Sequence, residues 1–207
     1  MKLNWFERLV VNNPLRVMAQ RIEIKWFKSV RRGIPGQRVL EIGCGRGAGA
    51  ALIHRNFHPG QLYAFDLDFR MVQLSANLRF QGLRPVWGVA DATALPVKSE
   101  TIDAIFGFGF LHHVPDWRQA VSEVRRVLKP GGVYYMEELY PESYQNVITG
   151  RLFEHPVQDR FRGPDLKQVL DDTGFNTLGR LEHRWLGLLG VFQVRDSKSR
   201  VGNSGNG

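Results

Sequence analysis

The sequence predicts an α/β fold with a doubly wound, mostly parallel sheet. Short apolar runs alternate with stretches of helical length and period, the pattern of repeated strand–helix units. A glycine-rich turn follows the first run: Val39, Leu40 and Ile42 lead into Gly43, Gly45, Gly47 and Gly49. Carboxylates then close the second and third runs, at Asp66 and Asp91. In an open α/β sheet, ligands bind beyond the carboxyl ends of the strands, so these positions converge on one candidate site.

The chain has 207 residues, 43% hydrophobic and 23% charged, which suits a single globular domain. Its single cysteine, Cys44, excludes an internal disulfide, and no metal-ligand spacing is visible. No run approaches the roughly 18 apolar residues of a membrane span, and no signal-peptide core opens the chain, which predicts a cytoplasmic protein. Net charge is +8, and residues 1–33, with eight basic and two acidic side chains, carry +6 of it.

Residues 1–36 read as a helical arm. Asn13-Pro14 is a helix start and Pro35-Gly36 an exit. Between them Leu15, Met18, Ala19, Ile22, Trp26 and Val30 form one stripe at 100° per residue, beside Arg21, Lys25, Lys28 and Arg32. Two readings stand: a helix covering the domain, or a basic amphipathic element on an anionic membrane with Trp5, Phe6, Trp26 and Phe27 inserted. Nucleic-acid binding has no accompanying motif.

The glycine turn points to a nucleotide-like ligand lying where a Cβ would collide, with helical N–H groups aimed at it. Gly43-x-Gly45-x-x-Ala48 formally fits a dinucleotide fingerprint, with Asp66 as its ribose acid. Glu41 opposes that, since a carboxylate there would repel a pyrophosphate. A helix follows over Ala50–Phe57, then strand 62–65, a helix over Phe69–Phe80 capped by Asp68, and strand 85–90. Strand 100–106, a helix capped by Asp116, a Lys129–Gly132 stop and strand 133–136 complete the central part. A helix begins at Gly163-Pro164-Asp165, and residues 176–184 and 186–195 read as an antiparallel pair. Residues 197–207 read as a disordered tail.

The Glu-x-Gly-x-Gly-x-Gly loop, Asp66, the Asp91-Ala92 pair followed by Leu95-Pro96, and Val127-Leu-Lys-Pro-Gly-Gly132 occur in that order. Together they resemble the class I S-adenosylmethionine (SAM) methyltransferases, in the small-molecule, type 11-like group. The resemblance covers about residues 37–138 and implies a Rossmann-like seven-stranded sheet of order 3-2-1-4-5-7-6 with the last strand antiparallel. The implied methyltransferase domain spans 37–196. It also implies SAM as cofactor and S-adenosylhomocysteine as product. Glu41, Gly43, Cys44 and Gly45 would hold the methionine end, Asp66 the ribose hydroxyls, Leu67 the adenine face, and Asp91 with the Ala92 N–H the adenine edge. Phe108, in Gly107–Asp116, would wall the reaction chamber.

Methyl transfer needs alignment and exclusion of water, and for some acceptors a base. By residue type the base candidates are His112, His113 and His155; Tyr140 and Tyr144 could face substrate, and Glu137 and Glu138 could orient it. The expected acceptor is a small or lipid-like molecule, such as a phospholipid headgroup or quinone precursor, with the arm at an anionic membrane. A SAM-binding module without transferase activity is the alternative. No Asn-Pro-Pro-Tyr type motif supports a nucleic-acid or protein acceptor.

Overall fold

The computed structural model describes residues 14–33, 36–141 and 161–196. A helix α1 (Pro14–Val30) precedes β1 (Arg38–Ile42), α2 (Ala48–Phe57), β2 (Gln61–Asp66), α3 (Phe69–Ser75), β3 (Val86–Val89) and β4 (Ile102–Phe108). Then come α4 (Trp117–Val127), β5 (Leu128–Leu139), α5 (Gly163–Asp172), β6 (Phe175–His183) and β7 (Gly187–Val194). The seven strands form one sheet of order β3-β2-β1-β4-β5-β7-β6, as expected. Only β7 runs against the rest: it pairs antiparallel with both β5 and β6.

Two apolar layers cover the sheet. One joins α4 and α5 to the inner side chains Leu40, Ile105, Tyr134 and Met136. The other joins α1 and α2 to Val39, Phe106, Phe108 and Tyr135. The alternation along β4 and β5, residue by residue, feeds the two layers in turn.

Several boundaries differ from the sequence reading. α3 stops at Ser75 instead of reaching Phe80. Its end turns back, with Leu78 N–H on the Ser75 carbonyl, and Leu78 packs over the glycine loop. β5 begins at Leu128, before the Lys129–Gly132 stop, and the irregular register near Ile102–Ala104 absorbs the proline and glycines.

The buried face of α1 is not the predicted stripe. Met18 and Ile22 are 58% and 67% exposed, while Ile24 and Phe27 are buried. Phe27 inserts among Phe106, Phe108 and Tyr135, with ring centroids 5.5–6.3 Å away. α1 carries apolar residues on several sides, so the long-range aromatic cluster chooses the face, not the helix's own pattern. Phe27 is therefore not available for insertion into lipid, and Trp26 is half-buried.

Candidate functional site

The carboxyl ends of β1, β2 and β4 open into a cavity of about 360 Å³. Gly43, Gly45, Asp66, Leu67, Asp91, Ala92, Phe108 and His113 line it. The chain thus brings most of the predicted cofactor residues to one place. The segment Gly107–Asp116, expected beside the reaction chamber, supplies Phe108–Phe110 and His113–Asp116 to the lining, whereas sequence reasoning missed Ile42, Met71, Ala90 and Thr93. The strand-end rule could have found Ile42; nothing in the spacing marks Met71.

The glycine loop is sewn to β2. The N–H groups of Gly43 and Cys44 both donate to the Phe65 carbonyl, at 2.8 and 3.0 Å. Asp66 continues the seam: Oδ2 accepts the Gly45 N–H and Oδ1 the Asp68 N–H, each at 2.8 Å. A carboxylate offers about four acceptor positions, so the group retains capacity for a ligand hydroxyl. Burial raises the Asp66 carboxyl despite these bonds.

The glycines do not all serve the ligand. Gly43, Gly45 and Gly47 have φ of +74°, +50° and +82°, left-handed values that favour glycine. Only at Gly45 among these three would a Cβ meet open space. At Gly43 it would lie 2.7 Å from Phe110 Cβ, and at Gly47 2.5 Å from Leu78 Cδ1. At Gly49 it would overlap Glu41 Oε1. Three of the four positions therefore serve internal packing, and Gly43 and Gly45, the two named as cofactor-binding, also line the cavity.

Glu41 and Cys44 are buried and do not line the cavity. Glu41 lies behind Phe108 and Gly49, and its Oε2 has no hydrogen-bond partner among the described residues. Burial, and next the charge of Asp66, push its carboxyl well above the usual range. Burial likewise pushes the Cys44 thiol up, which leaves it a packed, unreactive group. Asp91 makes a local turn: Oδ1 accepts the Thr93 N–H at 2.8 Å and its hydroxyl at 2.7 Å. Those bonds hold its carboxyl below the usual range. Asp68 and Asp116 cap α3 and α4 as expected, accepting from Arg70 and Gln119 N–H.

Two carboxylates at the end of β5 take unexpected roles. Successive side chains leave a strand on opposite faces. Glu137 turns to α1, where Arg16 reaches it at 2.6 Å and Glu23 at 2.7 Å. Glu138 turns the other way and is fully buried. Its Oε1 accepts the N–H groups of Phe110 and Leu111 at 3.2 and 2.7 Å. Its Oε2 meets the His112 N–H at 3.3 Å and the ring Nδ1 at 2.8 Å. Burial raises the Glu138 carboxyl to about 8, against the pull of the three backbone N–H groups. Neither glutamate lines the cavity at the strand ends; both border a second one beside Glu23 and Leu186–Leu189. His112 is held on Glu138, His113 lines the cavity, and His155 and Tyr144 lie outside the described residues. Tyr140 is buried, with its hydroxyl donating to Glu182 at 2.5 Å.

A glycine cradle with Gly45 open to space, an acid on the second strand and an acid at the third strand's exit thus share one cavity. Residues 40–136 match the family model described as a methyltransferase domain. That region is a SAM-dependent methyltransferase domain, and its cofactor is S-adenosylmethionine. The residues present fit that group: Gly45 leaves open space beside the cavity and the Asp66 carboxylate lines it.

Among relatives, the phthiotriol/phenolphthiotriol dimycocerosates methyltransferase of Mycobacterium tuberculosis is 36% identical over 143 residues, 69% of this chain and 52% of that protein. The ubiquinone/menaquinone biosynthesis C-methyltransferase of Desulfotalea psychrophila is 37% identical over 122 residues, 58% and 49% of the two chains. The chain spans about half the length of these curated relatives. A SAM-dependent methyltransferase structure from Aquifex aeolicus has the same fold, with TM-score 0.68 at 18% identity, covering 93% of this chain and 98% of that one.

Proposed function

We propose that this protein transfers the methyl group of SAM to a lipid-like small molecule by in-line displacement. The observation that carries the reading is the cavity where Gly45, Asp66 and Asp91 meet Phe108 and His113. When bound, SAM supplies an electrophilic methyl on a positively charged sulfur. The chain's part is to hold and to shield. Asp66 would take the ribose hydroxyls, and Asp91 with the Ala92 N–H the adenine edge. Glu41, buried behind Phe108 and Gly49, would support the methionine end from behind the loop. Phe108 and Phe110 supply apolar walls that exclude water, and alignment there can contribute several kcal/mol. His113, which borders the cavity, is the candidate to accept a proton from an acceptor hydroxyl.

The relatives named above act on dimycocerosate lipids or belong to quinone biosynthesis, which supports a lipid-like acceptor. The outward face of α1 supports an acceptor presented by a membrane. It carries exposed Met18 and Ile22 with exposed Arg21 and Lys25, while Glu23 is turned inward on Arg16. Apolar side chains among cations suit an anionic bilayer surface. No described helix is long and apolar enough to cross a membrane.

The test uses SAM labelled in its methyl group, the purified protein and a lysate of the source cells, separated afterwards into lipid, small-molecule, protein and nucleic-acid fractions. Label in an extractable lipid, absent with Asp66→Ala, is the expected result. Binding of SAM without label in lipid, small-molecule, protein or nucleic-acid fractions would overturn the transferase reading in favour of a SAM-binding module. Label confined to another fraction would replace the acceptor class. Equal recovery on neutral and anionic liposomes at low salt would remove the membrane part.

A further inference from the structure

We propose that Glu138 is a positioning residue for cofactor binding: it fixes the Phe108–His113 wall of the cavity by gathering three consecutive backbone N–H groups and the ring of His112. The proposal rests on the reading that this cavity takes SAM.

β4 ends at Phe108, and Gly109 follows with φ +65°. The chain there leaves the sheet and enters the short 3-10 turn Leu111–His113. Such a turn leaves its first N–H groups without partners inside the turn. Polar backbone groups buried in this way are costly unless something accepts from them. In this protein the acceptor is a single carboxyl. Glu138 is 0% exposed and takes the N–H groups of Phe110, Leu111 and His112 across 26 to 28 residues of sequence. The fourth contact, at His112 Nδ1, holds the imidazole beside the same carboxyl.

The same segment is the cavity wall. Phe108, Gly109, Phe110 and His113 all line it, whereas Glu138 and His112 do not. Glu138 therefore acts through the wall and not on the ligand. The wall is also pinned from the front: Gly109 N–H donates to the Glu137 carbonyl at 2.8 Å, and Phe110 leans on the glycine loop at Gly43. A turn released from Glu138 would carry Phe110 away from Gly43, and thereby loosen the wall and the loop that cradles the cofactor together. An apolar residue at position 138 would fill the space but leave three donors unanswered. Glutamine keeps one acceptor oxygen for Phe110 and Leu111.

The test measures binding of S-adenosylhomocysteine by calorimetry, thermal unfolding, and amide exchange at residues 110–112. Four proteins are compared: wild type, Glu138→Gln, Glu138→Ala and Leu170→Ala. Leu170 is buried in α5 and does not line the cavity, so its truncation reports destabilisation alone. Glu138→Ala is expected to weaken binding at least tenfold and to speed exchange at 110–112. Glu138→Gln is expected to stay within about threefold of wild type. Leu170→Ala is expected to melt earlier with affinity unchanged. If Glu138→Ala does not fold, Glu138→Asp takes its place: one methylene short, it is expected to lose affinity tenfold while Glu138→Gln does not.

The proposal is overturned if the Ala or Asp variant binds within twofold of wild type. It is equally overturned if Leu170→Ala loses as much affinity, or if exchange at 110–112 does not change. Failure of the wild type itself to bind would instead overturn the reading of the cavity, while the exchange result would still report on the Glu138 contacts.

Discussion

Arg16 and Glu137 are 121 positions apart in the chain, yet their side chains meet at 2.6 Å. The other terminal nitrogen of the same guanidinium reaches Glu23 at 2.7 Å. One cation thus separates two carboxylates in a largely buried setting and fastens the start of α1 to the end of β5. Removing it leaves the carboxylates facing each other without compensation. Arg16→Ala is expected to cost about 3 kcal/mol in urea unfolding, in the range for breaking a buried ion pair on one side. A loss below about 1 kcal/mol would show the cluster to be solvated like a surface pair.

Phe27 supplies the apolar half of that fastening. Its ring is 0% exposed between Phe106, Phe108 and Tyr135. Phe27→Ala is expected to cost about 3–5 kcal/mol, as for other buried aromatics. Ile22→Ala, on the exposed side of the same helix, should change stability by less than about 0.5 kcal/mol. Equal effects in denaturant titrations would contradict the assignment of faces. Ile22→Glu should lower recovery on anionic liposomes with the melting temperature unchanged.

Gly45 and Gly49 separate binding from folding. Gly45→Ala puts a Cβ into open cavity space at φ +50°, at a strain of about 1–2 kcal/mol. The expected result is a folded protein that binds S-adenosylhomocysteine at least tenfold more weakly. Gly49→Ala puts a Cβ onto the Glu41 carboxylate inside the fold, so its main effect should be lost stability. Calorimetry and thermal melts on the pair check this, and the opposite assignment of effects would refute it.

The carboxyls of Glu41, Glu137 and Glu138 bind their protons more tightly in the folded chain than in the unfolded one, through burial. Their protonated forms favour folding, so this contribution is whole below the ordinary carboxylate value of about 4.5. It declines as pH rises and, for Glu137 and Glu138, levels off near 8. Asp91 and Glu123, held low by hydrogen bonds, act in the opposite sense and lose their contribution only in acid. The melting temperature should fall between pH 5.5 and 8 and flatten above it. Glu138→Gln should make the slope shallower. A melting temperature that climbs from pH 6 to 9 would rule this out.

The sheet and the cavity were legible because each depends on short-range chemistry. Strand ends, the glycine run and the acids at Asp66 and Asp91 sit within a few residues of the structure they create. The face of α1 was not legible. Met18 and Ile22 match Ile24 and Phe27 as apolar residues, and the choice belongs to an aromatic cluster assembled from β4 and β5. Glu137 and Glu138 were visible as residues at the right strand end. Their partners, Arg16 on one side and the 110–112 turn on the other, follow only from the order of the strands. Residues 1–13 of the arm and His155 lie outside the described residues.

The adjacency of Glu137 and Glu138 also makes the site a test of its own assembly. β5 pairs with β7 through Met136 opposite Gly190 and Glu137 opposite Leu189. A slip of one residue would turn every side chain of β5 to the other face. Leu139 or Met136 would then occupy one of the two carboxyl positions, and either Arg16 or the 110–112 amides would be left unmet. Only the correct register closes both sides at once, so a chain that mispairs this strand cannot build a well-formed cofactor pocket.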